Sequence, residues 1–300
     1  MAVIAGPTAS GKSALALAVA ARIGGTIINA DASQLYADLH IVSARPSAAE
    51  AALVPHRLYG VLDGDDAASA ARWADMAKAA IAEAREAGRV PILVGGTGMY
   101  IATLLDGIAP VPEIDPAVRA AVRSLDTPAA AAALAAEDAA LAARLMPADR
   151  QRLLRGLEVV RSTGRSLLHW HATREGGIAA STDVRAIVVD VSRPVLNARA
   201  ETRLRAMVAV GARDEVAALL ARSLSPERPV LRALGVPEFA AHLAGETTLE
   251  AAIAAAAAAT RRYQKRQLTW LRNQVGHWPR VDPGPLDAAC ETVSRFFTVS

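Results

Sequence analysis

Gly6-Pro7-Thr8-Ala9-Ser10-Gly11-Lys12-Ser13 fits the pattern G-x-x-x-x-G-K-S/T in full. Such a loop wraps the backbone so that successive N–H groups converge on an anion. A helix beginning at its end adds partial positive charge, Lys12 adds a full one, and the Ser13 hydroxyl is a ligand for Mg²⁺. The chemistry is the holding of a di- or triphosphate, and the pattern is silent on what is transferred. Asp31 closes a second apolar run, Thr26–Ala30. Capping a helix or sitting in a solvated turn is the ordinary work of such an Asp. Facing the phosphate loop, it would serve as a general base for an acceptor or as a Mg²⁺ ligand, and both uses stay open. Gly95-Gly96-Thr97 closes a third run and offers backbone N–H groups and a hydroxyl there, unless it is a plain tight turn.

Two basic stretches follow. Arg152 and Arg155 share one helix face, with Arg144 and Arg161 extending the stretch in either direction. Further on, Arg261/Lys265 and Arg262/Arg266 are like-charge pairs four residues apart, which cost an isolated helix about 0.2–0.5 kcal/mol each. A cluster of this kind without acids suits an anionic ligand. Interleaved Tyr263, Trp270 and the glutamines Gln264 and Gln267 suit a nucleic acid, whose phosphates take Arg and whose unstacked bases take aromatic faces. The alternative is a basic helix whose Tyr and Trp pack inward.

The elements that must position these groups alternate at first. Ala2–Ala5 reads as a buried strand, Ser13–Ile23 as a helix, Thr26–Ala30 and Val90–Val94 as strands, and Ser69–Glu86 as an Ala-rich helix between them. This order predicts a parallel sheet with helices on both faces, which Arg185–Val191 joins later. After Pro110, Pro112 and Pro116 the pattern becomes helical over 116–124, 128–145 and 148–162, a helical insertion into the α/β core. Helices dominate again over 194–274, with breaks at Gly211, Pro226, Pro229, Gly235 and Gly245. The tail after Pro279 carries no clear pattern.

Composition bounds the function classes. A 52% hydrophobic fraction over 300 residues and a mean hydropathy of +0.23 exclude a disordered chain. One cysteine, Cys290, excludes a disulfide framework and a Cys-rich zinc site. No run approaches the ~18 apolar residues of a membrane span, and the N-terminus has no basic segment of the signal-peptide type. The expectation is a soluble cytoplasmic protein with no membrane contact. Net charge is only +3, yet arginine supplies 30 of 33 basic residues. A GC-rich genome accounts for most of them, as it does for the abundant Ala. Their placement is uneven: residues 1–110 carry net −2, residues 142–165 net +4, and residues 260–280 net +6 with no acid. That suggests a catalytic core with polyanion-binding surface behind it. A small-molecule kinase, a transferase using the loop for another pyrophosphate, and a regulatory NTPase remain. The last is weaker, because only Arg185–Asp190 resembles a strand ending in a Mg²⁺-binding Asp.

GPTASGKS at 6–13, NADASQLY at 29–36, VGGTGMY at 94–100, DRQRLLRGLEV at 149–159 with Thr163-Gly164, and TRRYQKRQLTWLR at 260–272 together resemble bacterial tRNA dimethylallyltransferases. The resemblance runs in order over residues 2–278. It implies an α/β fold with a P-loop NTPase-like parallel sheet from 1–110 and 181–300, and an all-helical insertion domain at 111–180 contacting tRNA. The implied reaction moves a dimethylallyl group from dimethylallyl diphosphate to N6 of adenine 37 in the anticodon loop, releasing diphosphate, with Mg²⁺. By the same resemblance Gly6–Ser13 hold the donor diphosphate, Arg199 or Arg203 reaches it, and Asp31, Lys12 and Thr97 are catalytic, Asp31 as base. The tRNA contacts it implies are Asp31, Ala32, Ser33 and Gln34 around the adenosine, Thr97 and Arg119 near the reaction channel, and Gln151, Arg152, Leu153, Leu154 and Arg155 beyond. Arg262 and Arg266 join them on the second basic stretch, in a protein expected to be a monomer. An adenylate isopentenyltransferase is the nearest alternative, and it would not need the basic stretches. Departures from the family pattern are Ala32 for the usual Ser, Val42-Ser43-Ala44-Arg45 for Gly-Thr-Ala-Lys, Arg57 for a second His, and Val236-Pro237 for Tyr-Lys.

Overall fold

In the computed structural model, which describes residues 1–298, six strands form one parallel sheet. They are β1 (Ala2–Ala5), β2 (Gly25–Ala30), β3 (His56–Arg57), β4 (Val90–Gly95), β5 (Arg185–Val189) and β6 (Arg280–Val281), ordered β3-β2-β4-β1-β5-β6. Register places Ala5 of β1 opposite Gly95 of β4, and Ala30 of β2 opposite Gly95 from the other side. Strands buried on both faces read as continuous apolar runs, which is why β1, β2, β4 and β5 were legible. The first crossover is α1 (Lys12–Ile23), followed by α2 (Ala48–Leu53), α3 (Ala70–Glu86) and α4 (Gly98–Asp106). Ile4, Ile27, Ile92 and Ile187 meet Leu15, Ala16 and Val19 of α1 in one core. The alternate residues Val3, Ile28, Leu93 and Val188 are buried as well, and α3 packs on β2 and β4.

The chain divides into two compact units, one made of Met1–Leu104 with the chain from Ala179 onward, the other of Leu105–Ile178. The second unit is helical: α5 (Pro116–Arg123), α6 (Thr127–Glu137), α7 (Ala139–Ala142), α8 (Arg150–Thr163) and α9 (Leu167–Trp170). Its core gathers Val122, Leu134, Leu141, Leu153, Leu154 and Leu157. The single helix expected over 128–145 is two. Asp138 leaves helical geometry at φ −148° and caps the next turn by accepting from the Leu141 N–H at 3.1 Å. An Asp that can bond its own backbone competes with the helix, and neighbouring alanines do not oppose it.

The chain returns through β5 to α10 (Arg193–Ala209), α11 (Ala212–Ala221), α12 (Val236–Leu243), α13 (Leu249–Gln274) and α14 (Leu286–Thr298). The last lies in the tail that carried no pattern, and its Ala289, Cys290 and Val293 complete the core beneath α1. No helix among the described residues is long and apolar enough to cross a membrane.

Candidate active site

Since β2, β4 and β1 are parallel neighbours, the loops after them open on one sheet edge. The phosphate loop turns back into α1 through positive φ at Ala9 (67°) and Gly11 (90°). Its first residue is tied to β4 by a bond from the Gly6 N–H to Gly95 O at 3.2 Å. Lys12 Nζ donates to Pro7 O at 3.4 Å, which folds the ammonium over the loop. Burial pulls this ammonium from 10.5 down to about 8; Asp31 opposes the shift and Arg203 adds to it.

Past β2 the chain turns at once, and fully buried Asn29 shapes the turn. Its Oδ1 accepts from the Asp31 N–H at 2.8 Å, and its Nδ2 donates to Asp31 O and Leu58 O, both at 2.9 Å. Ser33 N–H donates to Asp31 Oδ1 at 3.0 Å. One carboxylate oxygen thus serves the turn, while the other takes no hydrogen bond from the described residues. Thr97 reaches across from the third loop: its Oγ1 accepts from the Ala32 N–H at 3.1 Å and lies 3.5 Å from the Tyr263 hydroxyl. The Tyr263 phenol is pushed up to about 12, by burial first and by Asp31 second, so it stays protonated near neutral pH.

A cavity of about 340 Å³ lies where the loops meet, and Lys12, Ser13, Asp31, Tyr59, Arg199 and Arg203 line it. Arg199 Nη1 donates to Ser10 O at 3.4 Å. Burial lowers the Arg203 pKa, with Asp31 opposing. Arg203 Nε and Ser10 Oγ are buried without a hydrogen-bond partner. Buried polar groups left without partners beside a Lys and two Arg fit a polyanion that would satisfy them. For a metal the residues offer less. No cluster of three or more His, Cys, Asp or Glu among the described residues could hold an ion. The exposed Ser13 hydroxyl and the Asp31 carboxylate fit an ion that takes the rest of its shell from phosphate oxygens and water, as Mg²⁺ does. Asp190, the candidate from the later strand, lies 3.8 Å from Arg280 and does not line this cavity. A second cavity of about 270 Å³ shares Ser33, Leu234 and Tyr263 with the first and continues past Tyr100, Arg232 and Arg266.

A family model described as IPP transferase matches residues 34–274. The chain belongs to the IPP transferase family. It is 60% identical over 282 residues to a tRNA dimethylallyltransferase of Sphingopyxis alaskensis, covering 93% of this chain and 92% of that relative. A tRNA dimethylallyltransferase of Rhodospirillum rubrum is 53% identical over 277 residues, covering 91% and 85%. Among solved structures, the full-length tRNA isopentenylpyrophosphate transferase of Bacillus halodurans superposes with a TM-score of 0.71 at 31% identity, covering 99% of this chain and 94% of that one. A eukaryotic dimethylallyltransferase acting on tRNA gives 0.81 at 26% identity, covering 96% and 74%.

In this IPP transferase the expected RNA residues fall into different settings. Ser33 and Gln34 line the first cavity, but Gln34 Nε2 is engaged with Ser43 O at 3.0 Å and Ala44 O at 2.8 Å, leaving its carbonyl oxygen. Ala32 sits at the rim of the second cavity, its N–H held by Thr97. Arg119 stands exposed on α5, and Gln151 and Arg152 are exposed on α8. Leu153 and Leu154 are a correction: their side chains are core residues of the helical unit, so contacts there fall to their neighbours. The first basic stretch is also partly neutralised. Arg161 meets Glu137 at 2.6 Å, and Glu158 takes Arg123 at 3.1 Å and Arg155 at 3.7 Å.

The second stretch is different. Arg261, Arg262, Lys265 and Arg266 are exposed along α13 and make no ion pair among the described residues; Arg266 lies 5.3 Å from the Tyr263 ring centre. Tyr263 and Trp270 do not stand outward beside them. Tyr263 faces Thr97, and Trp270 rests against Gly98, where any Cβ would strike its ring. The interleaved glutamines, expected to suit a nucleic acid, lie on the inner face. Gln264 and Gln267 are 3% and 4% exposed, and both reach the phosphate loop. Buried Thr260, Gln264, Gln267 and Leu271 recur at i, i+4, i+7 and i+11, the period of a core face, with polar residues at the first three positions.

Proposed function

We propose that this protein transfers the dimethylallyl group of dimethylallyl diphosphate to N6 of adenine 37 in a tRNA anticodon loop and releases diphosphate. The observation that carries the reading is a single cavity in which an anion cradle, with Lys12, Arg199 and Arg203, faces the uncommitted oxygen of Asp31. A kinase-like loop here serves a leaving group. As the C–O bond breaks, its electron pair passes to the diphosphate oxygen, where Lys12, Arg199, Arg203 and the loop N–H groups meet the developing charge. Ser13 and the diphosphate oxygens would hold Mg²⁺, which when bound neutralises charge on the leaving group.

The exocyclic amine of adenine is a poor nucleophile because its lone pair is delocalised into the ring. Asp31 takes its proton as the N–C bond forms, a contribution of about 10²–10⁴ in rate. Thr97 and Tyr263 fix the Asp31 turn and keep neutral hydroxyls beside it. An anticodon-loop base is already unpaired, so drawing it into the second cavity costs a few kcal/mol at most. Outward cations of α13, with Arg119, Gln151, Arg152 and Arg155 on the helical unit, bind the surrounding phosphates. The catalytic groups come from one chain, so a monomer working in the cytoplasm suffices.

Protein, Mg²⁺, labelled dimethylallyl diphosphate and unmodified tRNA, incubated together, should yield prenylated adenosine in the tRNA. Product on free AMP with none on tRNA would overturn the assignment in favour of a nucleotide-directed enzyme.

A further inference from the structure

The buried glutamines of α13 join loops that the chemistry requires to be held in register. Gln267 Oε1 accepts from the Thr8 N–H at 2.8 Å, and Gln267 Nε2 donates to Gly96 O at 3.0 Å. One side-chain amide therefore bridges the phosphate loop and the turn that carries Thr97. The space it fills is reserved in the sequence: a Cβ at Gly96 would collide with Gln267 Nε2. From Thr97 the connection continues to the Ala32 N–H, next to Asp31. Gln264 ties the phosphate loop to α10 instead, donating to Thr8 O at 2.9 Å and to Leu196 O at 3.3 Å.

We infer that Gln267 is a positioning residue, fixing the distance between the diphosphate cradle and the Thr97–Asp31 side of the site. The inference rests on the prenyl-transfer reading above. In that reaction the leaving oxygen and the incoming nitrogen flank one carbon. The two loops that hold them come from different strands, and among the described residues this amide joins them alongside the Gly6–Gly95 backbone bond. The two loop partners are main-chain groups, and the Tyr263 hydroxyl is also within hydrogen-bonding reach of the amide. Displacing reacting groups by about 1 Å costs on the order of 10²-fold in rate. Both ends of the amide are buried, so a side chain without hydrogen-bonding groups strands a donor and an acceptor at once, and the loops must move to satisfy them. The cations on the outer face of α13 play no part in the bridge, so RNA affinity and loop register are separable properties of one helix.

The test compares wild type, Gln267→Met, Gln267→Asn, Gln264→Met and the packing control Val293→Ala in initial-rate kinetics with both substrates varied. tRNA dissociation constants and Tm are measured alongside. Gln267→Met keeps similar volume and loses both bonds; Gln267→Asn keeps an amide too short to reach both partners, and carries the same expectation if the Met variant does not fold. Either should lower kcat by about 10- to 100-fold and raise KM for dimethylallyl diphosphate several-fold, with tRNA affinity within about twofold of wild type. Gln264→Met, which loses bonds to the phosphate loop and α10 but none to the Thr97 turn, should move donor KM more than kcat. Kinetics like those of Val293→Ala at matched Tm would overturn the positioning role, and so would a loss confined to tRNA affinity. No prenylated adenosine from wild type itself would instead defeat the functional reading on which the inference rests.

Discussion

One oxygen of Asp31, a residue that lines the cavity, accepts from the Ser33 N–H, and the other takes no hydrogen bond from the described residues. The two duties can be separated by substitution. Asp31→Asn keeps an Oδ1 to accept from Ser33 and cannot take a proton from an amine. Its turnover should fall by about 10²–10⁴ while tRNA affinity and Tm stay near wild type. Asp31→Ala should match that rate loss and lower Tm as well, because the turn loses its acceptor. A large drop in tRNA affinity with Asp31→Asn would make Asp31 a binding contact instead. Lys12 adds a pH signature. Its folded-state pKa of about 8 lies below the ordinary 10.5, so the free protein carries the charge below pH 8 and loses it above. Donor KM should therefore be flat below about pH 8 and rise up to about tenfold per pH unit beyond it. Lys12→Arg, whose guanidinium holds its proton throughout, should flatten that rise.

At the scale of elements, α13 is one helix with two polar faces of opposite use. Outward, Arg262 and Arg266 make no ion pair among the described residues, so neutralising both should weaken tRNA binding and make its salt dependence shallower by roughly 1.5 in log–log slope. Tm should not change. Arg161→Ala on α8 is the counterpart: its guanidinium is paired with Glu137, so stability should fall more than RNA affinity. Filter binding over a salt series, with thermal melts, distinguishes the two. The same helix shows what the sequence could and could not disclose. Its charges were legible because like-signed residues four apart have no structural benefit. Gln264 and Gln267 were not, because a polar residue at core spacing looks the same as a solvated one until the buried backbone groups it serves are known. The strands β1, β2, β4 and β5 announced themselves as apolar runs, whereas β3 and β6 are two residues each, held by their neighbours' register and without a pattern of their own. Helix α8 divides by its own period: Arg152 stays exposed, while Leu153 and Leu154, which only the family resemblance marks as contacts, turn into the core.

For the whole molecule, the division into units leaves the cavity residues in one unit and splits the proposed tRNA-contacting residues between both. The loops of the diphosphate cradle and Asp31 belong to the α/β unit, as does α13, whereas Arg119 and Gln151–Arg155 belong to the helical one. The helical unit is an insertion between β4 and β5, and its two connecting segments meet. Ile108 and Glu175 exchange backbone hydrogen bonds of 3.0 Å in each direction. Residues between them can therefore be excised and the ends rejoined by a short Gly-Ser turn with little strain on the sheet. The helical unit carries its own core of Val122, Leu134 and Leu157, and the core around α1 draws on none of those side chains. The shortened protein should fold, and calorimetry should find its affinity for inorganic diphosphate within a few-fold of the full chain. On tRNA its kcat/KM should fall by more than about 10²-fold, the loss residing in tRNA binding, with a shallower salt dependence as the phosphate contacts of α5 and α8 disappear. Full tRNA affinity in the shortened protein would place recognition on α13 alone; loss of diphosphate binding would show that the cradle depends on the insertion for its shape.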